Sequence, residues 1–259
     1  MRNELREKLE SGENLFGTQT FLGSKEVASI MGGAGYDFVF ICAEHPSYGT
    51  ERVYDLVKYC EAAGTPALVR LPEIDKTFTK KVLDAGVSAV LFPMIHNAEE
   101  AKRVTDMCMY PPHGKRGFGP MGAIKWGLES EPEFVKENLK GTLRLIQIEH
   151  IDAVNELESI VKNPYIDGYI FGPNDLASSI GHICDMYHPE VIETVKRAIK
   201  ILKDNNKPFG VSLVSLDKER IEFWKELGAR IFSLGSDAVF VRDGVIKEYN
   251  DLKELIYEK

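Results

Sequence analysis

The segments LRLIQIE (143–149) and GYIFG (168–172) are short, dense in Leu, Ile and Phe, and without strict polar alternation. That is the pattern of parallel strands covered on both faces. Six further runs share it: LFGTQT (15–20), FVFICAE (38–44), ALVRL (67–71), AVLFP (89–93), FGVSLV (209–214) and ARIFSLG (229–235). Helical stripes lie between them, through Val53, Leu56, Val57 and Cys60, then Val154, Leu157, Ile160 and Val161. Later stripes run through Val191, Val195, Ala198 and Leu202, and through Ile221, Trp224 and Leu227. Thr50 and Asp152 read as N-caps, and Asn97 followed by Glu100 as a capping box. Eight β/α units in about 250 residues fit a TIM (β/α)8 barrel better than an open doubly wound sheet.

Two features modify that barrel. The segment 110–142, containing YPPHGKRGFGP, exceeds an ordinary βα or αβ connection and reads as an inserted loop with a short helix over the active-site rim. The C-terminal VIKEYNDLKELIYEK reads as a helix whose stripe of Leu252, Leu255 and Ile256 packs on its own barrel or on a neighbour. Residues 1–259 are expected to form one barrel domain.

With 44% hydrophobic residues, 22 Gly and 12 Pro among 259, the chain has material for a core and no composition of disorder. Its 32 Lys and Arg against 40 Asp and Glu give a net charge of −8, the wrong sign for a general nucleic-acid partner. No apolar run approaches the roughly 18 residues of a membrane span, and MRNELREKLESGE lacks a signal-peptide core. A cytoplasmic location is expected. Cys42, Cys60, Cys108 and Cys184 have neither zinc-finger nor disulfide-framework spacing.

In a barrel the chemistry sits at the carboxyl ends of the strands. That rule selects Glu44 and His45, Arg70, Gln147 and Glu149, and Asp175. Glu149 and Asp175 follow neighbouring strands, so with waters they can hold Mg²⁺ or Mn²⁺ and leave positions for two oxygens of a 2-oxo acid. Salt bridges, or capping of a helix by Asp175, would use the same residues differently. Arg70 can hold a carboxylate or an enolate oxygen, or form a structural ion pair with a barrel-end acid. His45 can exchange protons at the rim, or be a neutral structural histidine.

Other motifs are weak. GFGPMG (117–122) satisfies GxGxxG but follows no strand, and GKRG (114–117) is no Walker A loop; Lys115 and Arg116 read as part of a solvated loop, with contact to an acidic substrate or an adjacent subunit as the alternative. GxSxG and HExxH do not occur, and His96, His113, His150, His182 and His188 show no metal-ligand spacing.

These residues resemble the metal-dependent class II pyruvate aldolases of the 2-dehydro-3-deoxyglucarate and 4-hydroxy-2-oxoheptanedioate aldolase family. The resemblance is carried by AGYDFVFICAEH (34–45), PALVRLP (66–72), VLDAGVSAVLFPMI (82–95), YPPHGKRGFG (110–119), LIQIEHIDAV (145–154) and GYIFGPNDLASSIG (168–181), in family order across nearly the whole barrel. It implies a modified TIM barrel with a divalent metal, Mg²⁺ or Mn²⁺ with Co²⁺ as a further candidate. It also implies a homo-oligomer, a hexamer built as a trimer of dimers with exchanged C-terminal helices. By position, Glu149 and Asp175 resemble the metal-binding acids and His45 the proton-transfer histidine. Arg70 resembles the arginine that steadies the enolate, and Asp84 an acid the family carries near the site. Gln147, Gly172, Asn174 and Asp175 resemble substrate-positioning elements. Cys42 stands where the family has aspartate, and His150 where it has threonine.

The reaction this implies is reversible cleavage of a 4-hydroxy-2-oxo acid to pyruvate and an aldehyde. His45 would take the C4 hydroxyl proton, directly or through a water. Small 2-oxo acid and aldehyde substrates are expected, with neither nucleic acid nor membrane as partner. Two other readings stay open: a related lyase for a larger acid or a coenzyme A thioester, and a metal- and 2-oxo-acid-binding homologue whose turnover was lost at Cys42.

Overall fold

The computed structural model describes residues 3–257. In chain order it runs α1 (Glu4–Ser11), β1 (Leu15–Thr20), α2 (Lys25–Gly32), β2 (Phe38–Cys42), α3 (Thr50–Ala62), β3 (Ala67–Arg70), α4 (Lys76–Asp84), β4 (Ala89–Phe92) and α5 (Ala98–Cys108). A 3₁₀ turn (Gly122–Gly127) and α6 (Glu131–Gly141) lead into β5 (Leu143–Ile148), α7 (Ile151–Asn155), α8 (Leu157–Ile160), β6 (Gly168–Phe171) and α9 (Pro173–Ser179). The chain continues through α10 (Pro189–Asp204), β7 (Phe209–Leu213), α11 (Lys218–Glu226), β8 (Ile231–Ser236) and α12 (Asp237–Tyr257). The eight strands pair in parallel, in sequence order, and β8 closes onto β1. This is a (β/α)8 barrel with added helices.

All eight apolar runs became strands. The expected ends at Glu44 and Glu149 overshoot, because pairing stops at Cys42 and Ile148 and the two acids stand in the turns beyond. The two-residue period sorts each strand's side chains between two cores. Val39 and Ile41 face outward into the layer shared with the helices, with Val69, Val90, Ile146 and Tyr169. Phe38, Phe40, Leu68, Leu91, Leu145 and Ile170 fill the barrel. Leu5 and Leu9 of α1 join that inner cluster and plug the amino-terminal end. Each such burial is worth about 1.5–3 kcal/mol against exposure.

Several local expectations need correction. Gly49, not Thr50, precedes α3 as its cap, without a side-chain hydrogen bond. His150, not Asp152, caps α7: its Nδ1 accepts from the Asp152 N–H at 3.2 Å. Asn97 does cap α5, but Glu100 reaches back to the His96 N–H, one residue beyond the reciprocal partner of a capping box. The stripe through Val154 and Leu157 is buried, yet split into α7 and α8 at Glu156.

The 110–142 segment does not cover the rim. Its backbone packs on the outer layer, Gly122 against Asp84 and Ala85 and Ala123 against Gly86, before α6 delivers the chain to the amino end of β5. Arg116 is not solvated: it is buried, with Nη2 2.7 Å from Asp84 Oδ1 and its guanidinium over the Tyr110 ring. Among the described residues no helix is long and apolar enough to cross a membrane.

Closure between β8 and β1 is secured by Asp237, which is fully buried. It accepts from Thr20 Oγ1 at 2.7 Å and from the backbone N–H of Phe21, Leu22 and Ala238 at 2.9, 3.0 and 2.8 Å. Asp237→Ala strands those donors and is expected to cost on the order of 3 kcal/mol. Denaturant unfolding checks this; a loss below about 1 kcal/mol would show the closure to be held elsewhere.

Candidate active site

The inward face of each strand changes character as it rises. On β2 the order is Phe38, Phe40, Cys42, and on β5 Leu143, Leu145, Gln147, with Glu44 and Glu149 continuing the two series beyond the strands. Leu68 precedes Arg70 on β3, and Ile170 precedes Gly172 at the end of β6. The result is a dry floor under a charged rim at the carboxyl ends.

Glu149 is a deeply enclosed carboxylate of this rim, only 2% exposed. Its Oε1 accepts from the Met94 N–H at 2.6 Å, and its Oε2 accepts from Gln147 Nε2 in a short contact. Met94 presents that N–H from a left-handed backbone, φ +49°. Burial pushes the Glu149 carboxyl up to about 7; the Met94 N–H opposes the rise, Glu44 and Asp175 add to it, and Arg70 reduces it. Burial also raises Glu44, opposed by Arg70 and His45 and reinforced by Asp175.

Arg70 lies under this group, buried, with its guanidinium over the Phe40 ring at 5.4 Å. Its Nη2 donates to Cys42 Sγ at 3.1 Å, and its Nε is 3.0 Å from Glu44 Oε2. Neither atom of the Nε–Oε2 pair makes a directed hydrogen bond, so that contact is a charge contact and both atoms keep bonding capacity. His45 is exposed on the connection after β2, Nε2 3.8 Å from Glu44 Oε2, while its backbone N–H faces Cys42 Sγ at 3.5 Å.

Gly172 is there because nothing larger fits. A Cβ at that position would come within 2.6 Å of Gln147 Nε2 and 2.7 Å of Glu149 Oε2. Gly172→Ala is therefore expected to displace both polar groups and to cost about 1–3 kcal/mol of stability. Denaturant unfolding reads this, and an unchanged stability would contradict it.

The structure thus brings together Cys42, Glu44, His45, Arg70, Gln147, Glu149 and Gly172. Asp175 and Asn174 sit exposed in the first turn of α9, and the Asp175 charge is felt at both Glu44 and Glu149. Asp84 is not in this group. It ends α4 in the outer layer, paired with Arg116, where it lines an open cleft of about 990 Å³ with Tyr54, Lys81, Met121 and Trp126.

Three carboxylates facing one buried arginine leave the rim short of positive charge, and Gln147 Oε1 is buried without a partner. An all-oxygen donor set of this kind suits a hard divalent cation. Sequence spacing gave no sign of two further groups able to hold a metal: His96, His150 and Asp152, and His182, His188 and Glu190. His96 and His150 come from the loops after two neighbouring strands, whereas His182 and His188 share the one connection between α9 and α10.

The HpcH/HpaI aldolase/citrate lyase family profile matches residues 20–243. A hydroxypyruvate/pyruvate aldolase of Roseobacter denitrificans is 28% identical over 235 residues, 91% of each chain. A 2-keto-3-deoxy-L-rhamnonate aldolase of Escherichia coli K12 is 29% identical over 249 residues, 95% of this chain and 91% of that one. The crystal structure of an HpcH/HpaI aldolase from Desulfitobacterium hafniense superposes with a TM-score of 0.90 at 27% identity, covering 98% of both chains. With the profile spanning most of its length and the barrel reproduced, this chain belongs to the HpcH/HpaI aldolase/citrate lyase family of metal-dependent aldolases and lyases.

Proposed function

We propose that the protein is a divalent-metal-dependent aldolase that reversibly cleaves a 4-hydroxy-2-oxo acid to pyruvate and an aldehyde. The observation that carries this reading is the buried Glu149, fixed by Met94 and Gln147 in a rim with more acid than base. Glu149 and Asp175 would hold the cation, Mg²⁺ or Mn²⁺ by donor hardness with Co²⁺ a further candidate, and when bound it supplies the electron sink for the 2-oxo acid.

The chain's own residues supply the rest. Arg70 directs its guanidinium at the charge that develops on the enolate oxygen as C3–C4 breaks. Gln147, Gly172 and the first turn of α9, with Asn174 and Asp175, position the 2-oxo acid. His45, exposed at the entrance with its Nε2 3.8 Å from Glu44 Oε2, takes the C4 hydroxyl proton as the aldehyde forms and returns it to C3 of the enolate to complete pyruvate. Pyruvate release from a panel of 4-hydroxy-2-oxo acids, with and without Mg²⁺, Mn²⁺ or Co²⁺, tests the assignment; no metal-dependent product across the panel would remove it.

One observation favours a second reading, a homologue that binds metal and 2-oxo acid without turning it over. Cys42 is a buried thiol where the resembled family has aspartate, and it leaves Arg70 and His45 without that acid. Cys42→Asp places a carboxylate against Arg70 Nη2. On the aldolase reading the unmodified protein turns over and the change alters kcat by no more than about tenfold. On the second reading only the substituted protein releases pyruvate.

The same family context supports small organic-acid substrates. We further propose a homo-oligomer, with a hexamer of exchanged α12 helices as its form. On α12, Leu252, Leu255 and Ile256 are exposed, at 57%, 81% and 65%, so the chain's own barrel does not cover the stripe. A role for Asp84 near the reaction then requires a neighbouring copy, since within one chain it lies in the outer layer. Light scattering of the intact protein reads the assembly.

A further inference from the structure

The neighbouring strands β4 and β5, paired through Phe92 and Ile146, release their chains side by side at the rim. His96 follows β4 and His150 follows β5. Their rings lie 4.6 Å apart at 58°, a tilt that lets nitrogens of both converge where stacked rings would hold them parallel. Asp152 completes the group: its Oδ2 is 3.3 Å from His150 Nδ1 and 3.7 Å from His96 Nδ1. One ligand atom from each residue falls within 4.8 Å of the others. Both imidazoles are half-buried, so their rings are partly fixed while water can still reach the cluster.

The surroundings favour a cation. His96 and Asp152 line an open cleft of about 870 Å³ together with Glu99 and Glu156, and among the described residues its lining includes neither lysine nor arginine. The donor set is two imidazole nitrogens and one carboxylate, which suits borderline transition ions such as Zn²⁺, Ni²⁺ or Cu²⁺. The oxygen donors of Glu149 and Asp175 are chemically different, although Glu149 is bonded directly to His150. We propose that His96, His150 and Asp152 form a second metal site, selective for a borderline transition ion and distinct from the oxygen-donor rim.

The comparison cluster at His182 and His188 is less suited. Its rings are stacked at 3.5 Å and 16°, which holds their nitrogens parallel and not converging. It serves as an internal control.

The test is equilibrium dialysis of the intact, chelator-stripped protein against Zn²⁺ in excess Mg²⁺, with retained zinc measured by atomic emission. His150→Thr keeps a hydroxyl able to cap α7, so the helix start survives while the imidazole is lost; His96→Gln removes the other ring. One equivalent of zinc is expected, weakened at least about tenfold by either change and unaffected by the pair H182Q and H188Q. Cu²⁺ in the same protein is expected to show hyperfine coupling to two nitrogens by electron paramagnetic resonance. The site is excluded if no zinc is retained, if retention survives both His96→Gln and His150→Thr, or if it follows Glu149→Gln or the His182/His188 pair instead.

Discussion

Glu149→Gln is expected to lower metal-dependent pyruvate release roughly a thousandfold, about 4 kcal/mol of transition-state stabilisation, with the barrel intact. The amide can be accommodated. Its oxygen still accepts from the Met94 N–H, and its NH₂ can donate to Gln147 Oε1, which is buried and unpartnered in the native protein. Loss of activity without loss of fold is therefore the expected signature, read by steady-state kinetics beside circular dichroism. A variant retaining more than about a tenth of native turnover would contradict the assigned role.

The same carboxylate makes a pH prediction for the metal-free protein. Burial raises Glu149 from 4.5 to about 7, so the folded state binds the proton more tightly than the unfolded chain. The stability this contributes is full below pH 4.5 and is lost as pH rises through about 7, a swing of about 3 kcal/mol. Metal affinity has the opposite trend and increases with pH through the same window, because cation and proton compete for one carboxylate. Unfolding midpoints of the metal-free native protein and of E149Q, from pH 5 to pH 8, should therefore diverge, with the variant the more stable at pH 8. Parallel curves would contradict the burial argument.

Arg70→Lys is expected to cost roughly 10²–10³ in kcat with a smaller change in KM. Arg70 presents two separate edges, Nη2 to Cys42 and Nε to Glu44, while its plane lies over Phe40. Lysine keeps the charge but offers one point where the guanidinium offers a planar fork, so it cannot hold both partners and still face the developing enolate oxygen. Rapid-quench and steady-state measurements separate the two effects. A variant that raises KM and leaves kcat unchanged would reassign Arg70 to substrate binding alone.

Much of this molecule could be read from its sequence because a parallel barrel writes itself locally. Each strand is a short apolar run with a fixed place in the order, so all eight were found, and the rim followed from where those runs end. What escaped depends on contacts between distant segments. Glu44 was recognisable as a strand-end residue, but its pairing with Arg70 is set by the β2–β3 register. Met94 contributes through a backbone N–H in an unusual conformation, which side-chain identity does not encode. Asp84 sits in a motif that matches an acid expected near the site, yet α4 carries it into the outer layer and Arg116 holds it there. His96 and His150 are far apart in sequence and meet only because β4 and β5 are neighbours. The N-caps at Gly49 and His150 were missed because a β/α turn fixes the helix start, overriding the preference of Thr50 and Asp152 for that role.

The central claim is that Glu149 and Asp175 hold one hard divalent cation. Its most direct measurement is a Mn²⁺ titration of chelator-stripped protein with oxalate present, followed by electron paramagnetic resonance, in the native chain, E149Q and D175N. The expected result is one bound Mn²⁺ per native chain and a loss of affinity of at least about tenfold in each variant. Undiminished Mn²⁺ binding in both variants would contradict the account.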